Sequence, residues 1–141
     1  MITPKTGRPK KPSKLRNKKV EIDGIVFDSG MEGRFYLYLK GEKAKARIRG
    51  FKRQVVYELI SKYEIAGRKV RAMKIKIDFE VETNEGAEIA IDVKGHPTEK
   101  ALLKRKIFEQ KFKKPLQWVR EEKGNWVDFD QHKKSRKRKK K

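Results

Sequence analysis

The sequence predicts an α/β (α+β) domain in which a mixed central sheet is assembled in the order αβββαβ. Three observations predict it. The stretch from Met73 to Lys94, MKIKIDFEVETNEGAEIAIDVK, alternates apolar and polar residues on both sides of Asn84-Glu85-Gly86, the pattern of a β-hairpin. Two other stretches carry apolar residues at helical spacing, each opened by a capping residue, Ser29 and Thr98. Two short apolar runs, Lys52 to Ile60 after Gly50 and Leu116 to Val119 after Pro115, have the length of strands.

Charge divides the 141-residue chain into a domain and two arms. Of its 40 Lys/Arg, eight lie in residues 1–19 and eight in residues 131–141, and neither arm has an acid. That leaves 24 basic against 19 acidic residues in 20–130, a net charge of +5 out of a total of +21. We therefore expect a basic disordered arm over 1–19, one folded domain over 20–130 and a basic disordered tail over 131–141. A charge of +21 attracts polyanions, foremost nucleic acid. The absence of cysteine excludes disulfides and thiolate zinc sites and fits a reducing cytoplasm. No apolar run has the length of a membrane span and no signal peptide is visible.

Taken in order, Val20 to Phe27 reads as a small hairpin turning on Asp23-Gly24. Helical spacing then runs from about Gly30 to Ile48, with Phe35 and Leu39 on one face widened by Tyr36, Leu37 and Tyr38. Glu32 follows Ser29 by three residues. It is either the second half of a capping box or a carboxylate placed beside the sheet. The strand over Lys52–Ile60 alternates Val55, Tyr57 and Leu59, and a polar connection around Gly67 leads to the hairpin. Gly95-His96-Pro97 breaks the chain before the second helix, Glu99 to Lys113, whose apolar residues are Ala101, Leu102, Leu103, Ile107, Phe108 and Phe112. Its other side is basic, including Lys100, Lys104 and Lys106. Trp118 and Trp126 are assigned to the core rather than to base stacking.

The hairpin fixes a register. Met73, Ile75, Ile77, Phe79 and Val81 on one strand and Ile89, Ile91 and Val93 on the other all have odd numbers, so paired positions that share a buried face must be joined by an odd loop. A three-residue loop, Asn84 to Gly86 with glycine left-handed, centres the pairing on Glu85 and sets Asp78 opposite Asp92, with Cβ atoms roughly 5 Å apart. Two facing carboxylates repel. A hard divalent cation relieves the repulsion, and Mg²⁺ takes one or two carboxylates, completing its shell with water and phosphate. Lys94 follows on the same face, where an ammonium orients an attacking water. The bland reading is a solvated face, because Lys74, Lys76, Glu80, Glu82 and Glu88 have the same parity.

With Glu32 on the first helix, Asp78 on the second strand and Asp92-x-Lys94 on the third, the chain resembles the restriction-endonuclease-like PD-(D/E)XK nuclease superfamily, which shares the αβββαβ core. Phe27-Asp28-Ser29-Gly30-Met31-Glu32-Gly33-Arg34-Phe35-Tyr36, Ile77-Asp78-Phe79 and Asp92-Val93-Lys94-Gly95 resemble small bacteriophage nucleases grouped with Holliday-junction resolvases, over residues 18–122. Asp92 departs from the commoner Glu, and Ile77 stands where the superfamily's name has Pro. The resemblance implies that Asp78, Asp92 and the Val93 carbonyl hold Mg²⁺, with Mn²⁺ substituting and Glu32 completing the site. It implies that Lys94 positions the nucleophilic water and that the products carry 5′-phosphates. It also implies a homodimer acting on four-way or other branched DNA in the cytoplasm of a bacterial host.

The arms add phosphate-binding candidates. Thr6-Gly7-Arg8-Pro9-Lys10-Lys11-Pro12 resembles an AT-hook or is simply a polycation. Arg136, Lys137 and Arg138 lie in a tail that reads as a nuclear localisation signal or a phosphate-binding segment. Two other functions fit the same residues: a nicking or single-strand/branch endonuclease without strict junction preference, and a nucleic-acid-binding protein without enzymatic activity. The second of these gives no role to paired aspartates beside a lysine.

Overall fold

The computed structural model describes residues 18–131. A hairpin, β1 (Val20–Ile22) and β2 (Ile25–Phe27), leads into helix α1 (Gly30–Ala44). The long strand β3 (Ile48–Ile60) follows, then a small hairpin, β4 (Tyr63–Ile65) and β5 (Arg68–Val70). Next come β6 (Met73–Thr83), β7 (Glu88–Val93), helix α2 (Glu99–Phe112), β8 (Leu116–Glu122) and β9 (Asn125–Asp128). The central sheet has five strands in the order β3-β6-β7-β8-β9 and is mixed: β7 and β8 run parallel, and the other neighbours antiparallel. The chain is thus an α+β protein with a helix on each side of the sheet.

Several boundaries differ from the sequence expectation. Helix α1 stops at Ala44 instead of Ile48, because Ala46 takes a left-handed φ of 60° and Ile48 already pairs with Thr83. Strand β3 therefore starts four residues before Lys52. Helix α2 ends at Phe112, with Lys113 left-handed at φ 57°. The connection around Gly67 is itself the β4–β5 hairpin, its turn made by Ala66 and Gly67 at φ 52° and 74°. The last strand extends to Glu122 and gains a partner, β9, which had no clear alternation to reveal it.

The central hairpin has the expected register. Phe79 faces Ile91, Val81 faces Ile89 and Glu82 faces Glu88, all centred on Glu85, and Gly86 sits at φ 89° with its N–H on the Thr83 carbonyl. The single buried face does not hold. Phe79, Val81 and Ile91 pack with Phe35, Tyr36 and Leu39 of α1. Ile75 and Ile77 have the same parity, yet they pack with Phe108 of α2, Leu116 and Ala90. Strand β3 changes sides at the same level, with Phe51 in the first cluster and Val55 and Tyr57 in the second. The switch falls at Asp78 and at Gln54, which the register places opposite it and which holds a left-handed φ of 54°. Twist and one strained residue carry the paired strands from one layer to the other.

Because α2 covers the second face, the positions expected in solvent are largely enclosed. Glu80 and Asp92 are buried beside Ala90. Of the apolar residues of the second helix, Leu102 and Leu103 are about half exposed, as are Leu37 and Tyr38 on α1. Helix α2 turns Phe108 inward, with Ile107 and Phe112 packed around it.

Candidate functional site

The site is built where β6 and β7 separate. Their ladder runs from Glu82↔Glu88 to Phe79↔Ile91, and at the next position side chains replace it. The Asp78 backbone N–H donates to Asp92 Oδ1 at 2.9 Å, and the Val93 N–H donates to Asp78 Oδ2 at 3.0 Å. Each aspartate thus uses one oxygen to hold the other strand and keeps one uncommitted. This reciprocal clamp follows from the register, since only residues directly opposite can exchange such bonds.

Lys94 continues from β7 and is fixed by its own N–H, which donates to the Val119 carbonyl at 2.9 Å. Its positive charge acts on both Asp78 and Asp92. Glu32 arrives from the first turn of α1. Ser29 caps that helix, its Oγ accepting from the Glu32 N–H at 3.1 Å. The reciprocal half of a capping box is not what Glu32 makes: its carboxylate accepts a long hydrogen bond from Gln54 Nε2 at 3.4 Å. The adjacent Gly33 lets the helix approach the first hairpin, since a Cβ there would lie 2.9 Å from Val20 and 3.0 Å from Ile22.

Two buried acids, Glu32 and Asp92, therefore act by their charges on a third that is partly buried, Asp78. Burial, then the charges of Asp92 and Glu32, push the Asp78 carboxyl up to about 7, against the pull of Val93 N–H and Lys94. Burial raises Asp92 as well, opposed by the Asp78 N–H and Lys94. Glu32 is raised by burial, by Asp28 and by Asp92, with Arg53 and Lys76 acting the other way. At neutral pH the aspartate pair retains a proton more readily than two separate aspartates would.

This donor set suits a hard cation. Two facing aspartates with one free oxygen each provide the one or two carboxylates that Mg²⁺ takes, and a double positive charge would work against the burial that raises both acids and the like charges that further raise Asp78. Among the described residues, no group of three or more His, Asp or Glu side chains is placed to hold a metal ion, so an ion held by the aspartate pair would take its remaining ligands from water and substrate phosphate. Glu32 is close enough for its charge to act on Asp78.

Beside the aspartates opens a cleft of about 280 Å³, whose lining includes Lys76, Asp92, Lys94, Lys100, Lys104 and Trp118. Lys106 does not share it; it lies with Leu102, Leu103 and Glu109 on another side of α2. Arg8, Lys10, Lys11, Arg136, Lys137 and Arg138, with nearly all of both arms, lie outside the described residues. Gln54 is the site residue that sequence reasoning missed. Its signal is conformational, a left-handed glutamine inside a strand, which no periodicity reveals.

The chain belongs to the family described as Protein of unknown function (DUF1064), whose model matches residues 12–125. No curated protein and no solved structure matches it. Among the described residues, no helix is long and apolar enough to cross a membrane.

Proposed function

We propose that this protein is a metal-dependent DNA endonuclease of the PD-(D/E)XK type, acting on branched DNA as a Holliday-junction resolvase does. The observation that carries this reading is the reciprocal Asp78–Asp92 clamp, a buried and a partly buried carboxylate held face to face beside Lys94, with no salt bridge to either among the described residues. Burying such a pair costs stability. A structural role would be served better by almost any apolar pair.

Asp78, Asp92 and the Val93 carbonyl would hold Mg²⁺ or Mn²⁺, with Glu32 reaching it directly or through water. Bound there, the ion would lower the pKa of a water and withdraw charge from a phosphoryl oxygen. Lys94 orients the nucleophile and stabilises charge developing on the scissile phosphate. The Gln54 amide aims the Glu32 carboxylate, and Ser29 fixes the turn from which Glu32 projects. The excess of basic residues draws the polyanion in. A four-way junction offers two phosphates related by a dyad, so this reading includes a homodimer.

The test is cleavage by purified protein of labelled four-way junction, flap, duplex and single-strand substrates, in Mg²⁺ and in EDTA. The expected result is Mg²⁺-dependent cleavage strongest on the junction, leaving 5′-phosphates. Cleavage of every branched substrate alike would favour a branch endonuclease. Tight binding with no cleavage of any substrate would overturn the enzyme in favour of a binding protein.

A further inference from the structure

The cleft beside the aspartates has features that metal binding and hydrolysis do not use. Beyond Asp92 and Lys94, which the hydrolytic reading uses, its lining contains three more lysines, Lys76, Lys100 and Lys104, and no other acid. Helix α2, 14 residues long, begins at its edge: Thr98 is the N-cap and also lines the cleft, so the positive end of the helix dipole faces it. The third feature is Trp118. It is 1% exposed and forms part of the cleft lining, yet its indole Nε1 is buried with no hydrogen-bond partner among the described residues. A buried N–H with no acceptor is costly, and most native structures avoid it. The Arg105 guanidinium stacks on the Trp118 ring at 3.9 Å, and Phe129 meets the ring edge-on, so the indole is held in place.

We infer that the part of this cleft beyond Asp92 and Lys94 is a phosphate subsite, adjoining the point of hydrolysis, that holds a second, uncleaved phosphodiester of the bound strand between the α2 N-terminus and Trp118. The inference deepens the nuclease reading and rests on it for the identity of the strand. The lysines and the helix terminus supply the positive field, and an oxygen of the phosphodiester supplies the acceptor that the indole N–H lacks. Holding one phosphate here fixes the strand's position along β7, which sets which neighbouring phosphate lies over Asp78 and Asp92.

The experiment follows the two indole resonances of the full-length ¹⁵N-labelled protein in EDTA, assigned with Trp126→Phe. Three probes are titrated: a thymidine trinucleotide with no terminal phosphate, its neutral methylphosphonate analogue, and inorganic phosphate. The expected result is that the trinucleotide moves the Trp118 resonance, leaves Trp126 nearly still, and binds about tenfold more weakly to the surface variant Lys100→Gln/Lys104→Gln, which loses two charge-assisted contacts. A Trp118 resonance unmoved by the trinucleotide would overturn the subsite. So would an equal shift with the neutral analogue, which would mean base contact, or a shift with inorganic phosphate alone, which would mean capture of free or terminal phosphate. Nothing in this readout depends on metal or cleavage. A protein that cleaves no DNA can therefore pass, and a nuclease without the subsite would fail.

Discussion

Strand β6 carries two enclosed acids two positions apart, Asp78 and Glu80, and the protein treats them in opposite ways. Glu80 is buried at 6% exposure, but Lys114 reaches it at 3.0 Å and the Tyr57 hydroxyl donates to it. Lys114 also donates to Tyr57 at 2.8 Å and to Glu88 at 2.8 Å, closing a network that ties the end of α2 to the sheet. Burial works against the Lys114 charge, yet the bonds with Glu88, Tyr57 and Glu80 more than offset it and hold the ammonium above the ordinary lysine value. Among the described residues Asp78 has no such partner. It faces Asp92, receives one backbone N–H, and is pushed up to about 7. At Glu80 the fold builds an ion pair in; at Asp78 and Asp92 no salt bridge forms among the described residues, and the Lys94 charge lowers both acids without offsetting their burial.

The largest expected break in this comparison is in activity. Asp78→Asn, Asp92→Asn or Lys94→Ala should each slow junction cleavage in Mg²⁺ by at least about a hundredfold, the scale of losing a positioned catalytic group. Binding, set mainly by Lys/Arg contacts to phosphate, should persist. Glu80→Gln should cleave at close to the wild-type rate per folded molecule. Single-turnover rates and gel-shift affinities measured together would expose an equal loss in Glu80→Gln, and that would collapse the distinction.

Stability should break on the other side. Lys114→Met strands Glu80 without its cation, and urea unfolding should show a loss of about 3 kcal/mol. Lys114→Met/Glu80→Leu should recover much of it, because removing both members of a buried pair is far less harmful than removing one.

Asp78→Asn should move stability the opposite way. The folded-state pKa of Asp78, about 7, lies above its ordinary value of 3.8, so folding favours the protonated acid. The stability that this acid permits is complete below about pH 4 and is lost as pH rises through 7. In EDTA at pH 8 the Asn variant should therefore be more stable than wild type by about 1–3 kcal/mol, and the two should converge near pH 4. Asn keeps an oxygen for the Val93 N–H. Melting temperatures across that range, with and without Mg²⁺, would decide it; a wild type more stable at pH 8 in EDTA would mean that the pair is already compensated.

The smallest effects concern the approach of Glu32. Glu32→Gln should lower the cleavage rate by about tenfold with little change in melting temperature, since the Ser29 cap on its backbone N–H is retained. Gln54→Asn suits the left-handed backbone but shortens the amide's reach, and should cost about threefold. A loss of stability without loss of rate in either variant would reduce the pair to a helix-start device.

Much of this was legible in the chain. Odd-numbered apolar residues on both sides of Asn84-Glu85-Gly86 dictated the loop length, and the loop length dictated that Asp78 meets Asp92. Such reasoning works because a strand's side chains have a strict period of two and a glycine at φ 89° closes the turn. The caps at Ser29 and Thr98 were equally local, each a hydroxyl reaching an N–H three residues on.

Parity, however, cannot say what covers a face. Ile75 and Phe79 obey one alternation and end in different clusters, because a twist at Asp78 and Gln54 turns the strands between two helices that lie far away in sequence. For the same reason Glu80 and Asp92, on a face that could equally have been solvated, are buried, and the apolar Leu102 and Leu103 are exposed. The sequence by itself determined which residues face which along a strand, since that depends only on neighbours and a short loop. Burial, and with it the raised acids, the Lys114 counter-charge and the orphaned Trp118 N–H, was decided by tertiary packing, because the environment of a charge is made by elements that no local pattern encodes.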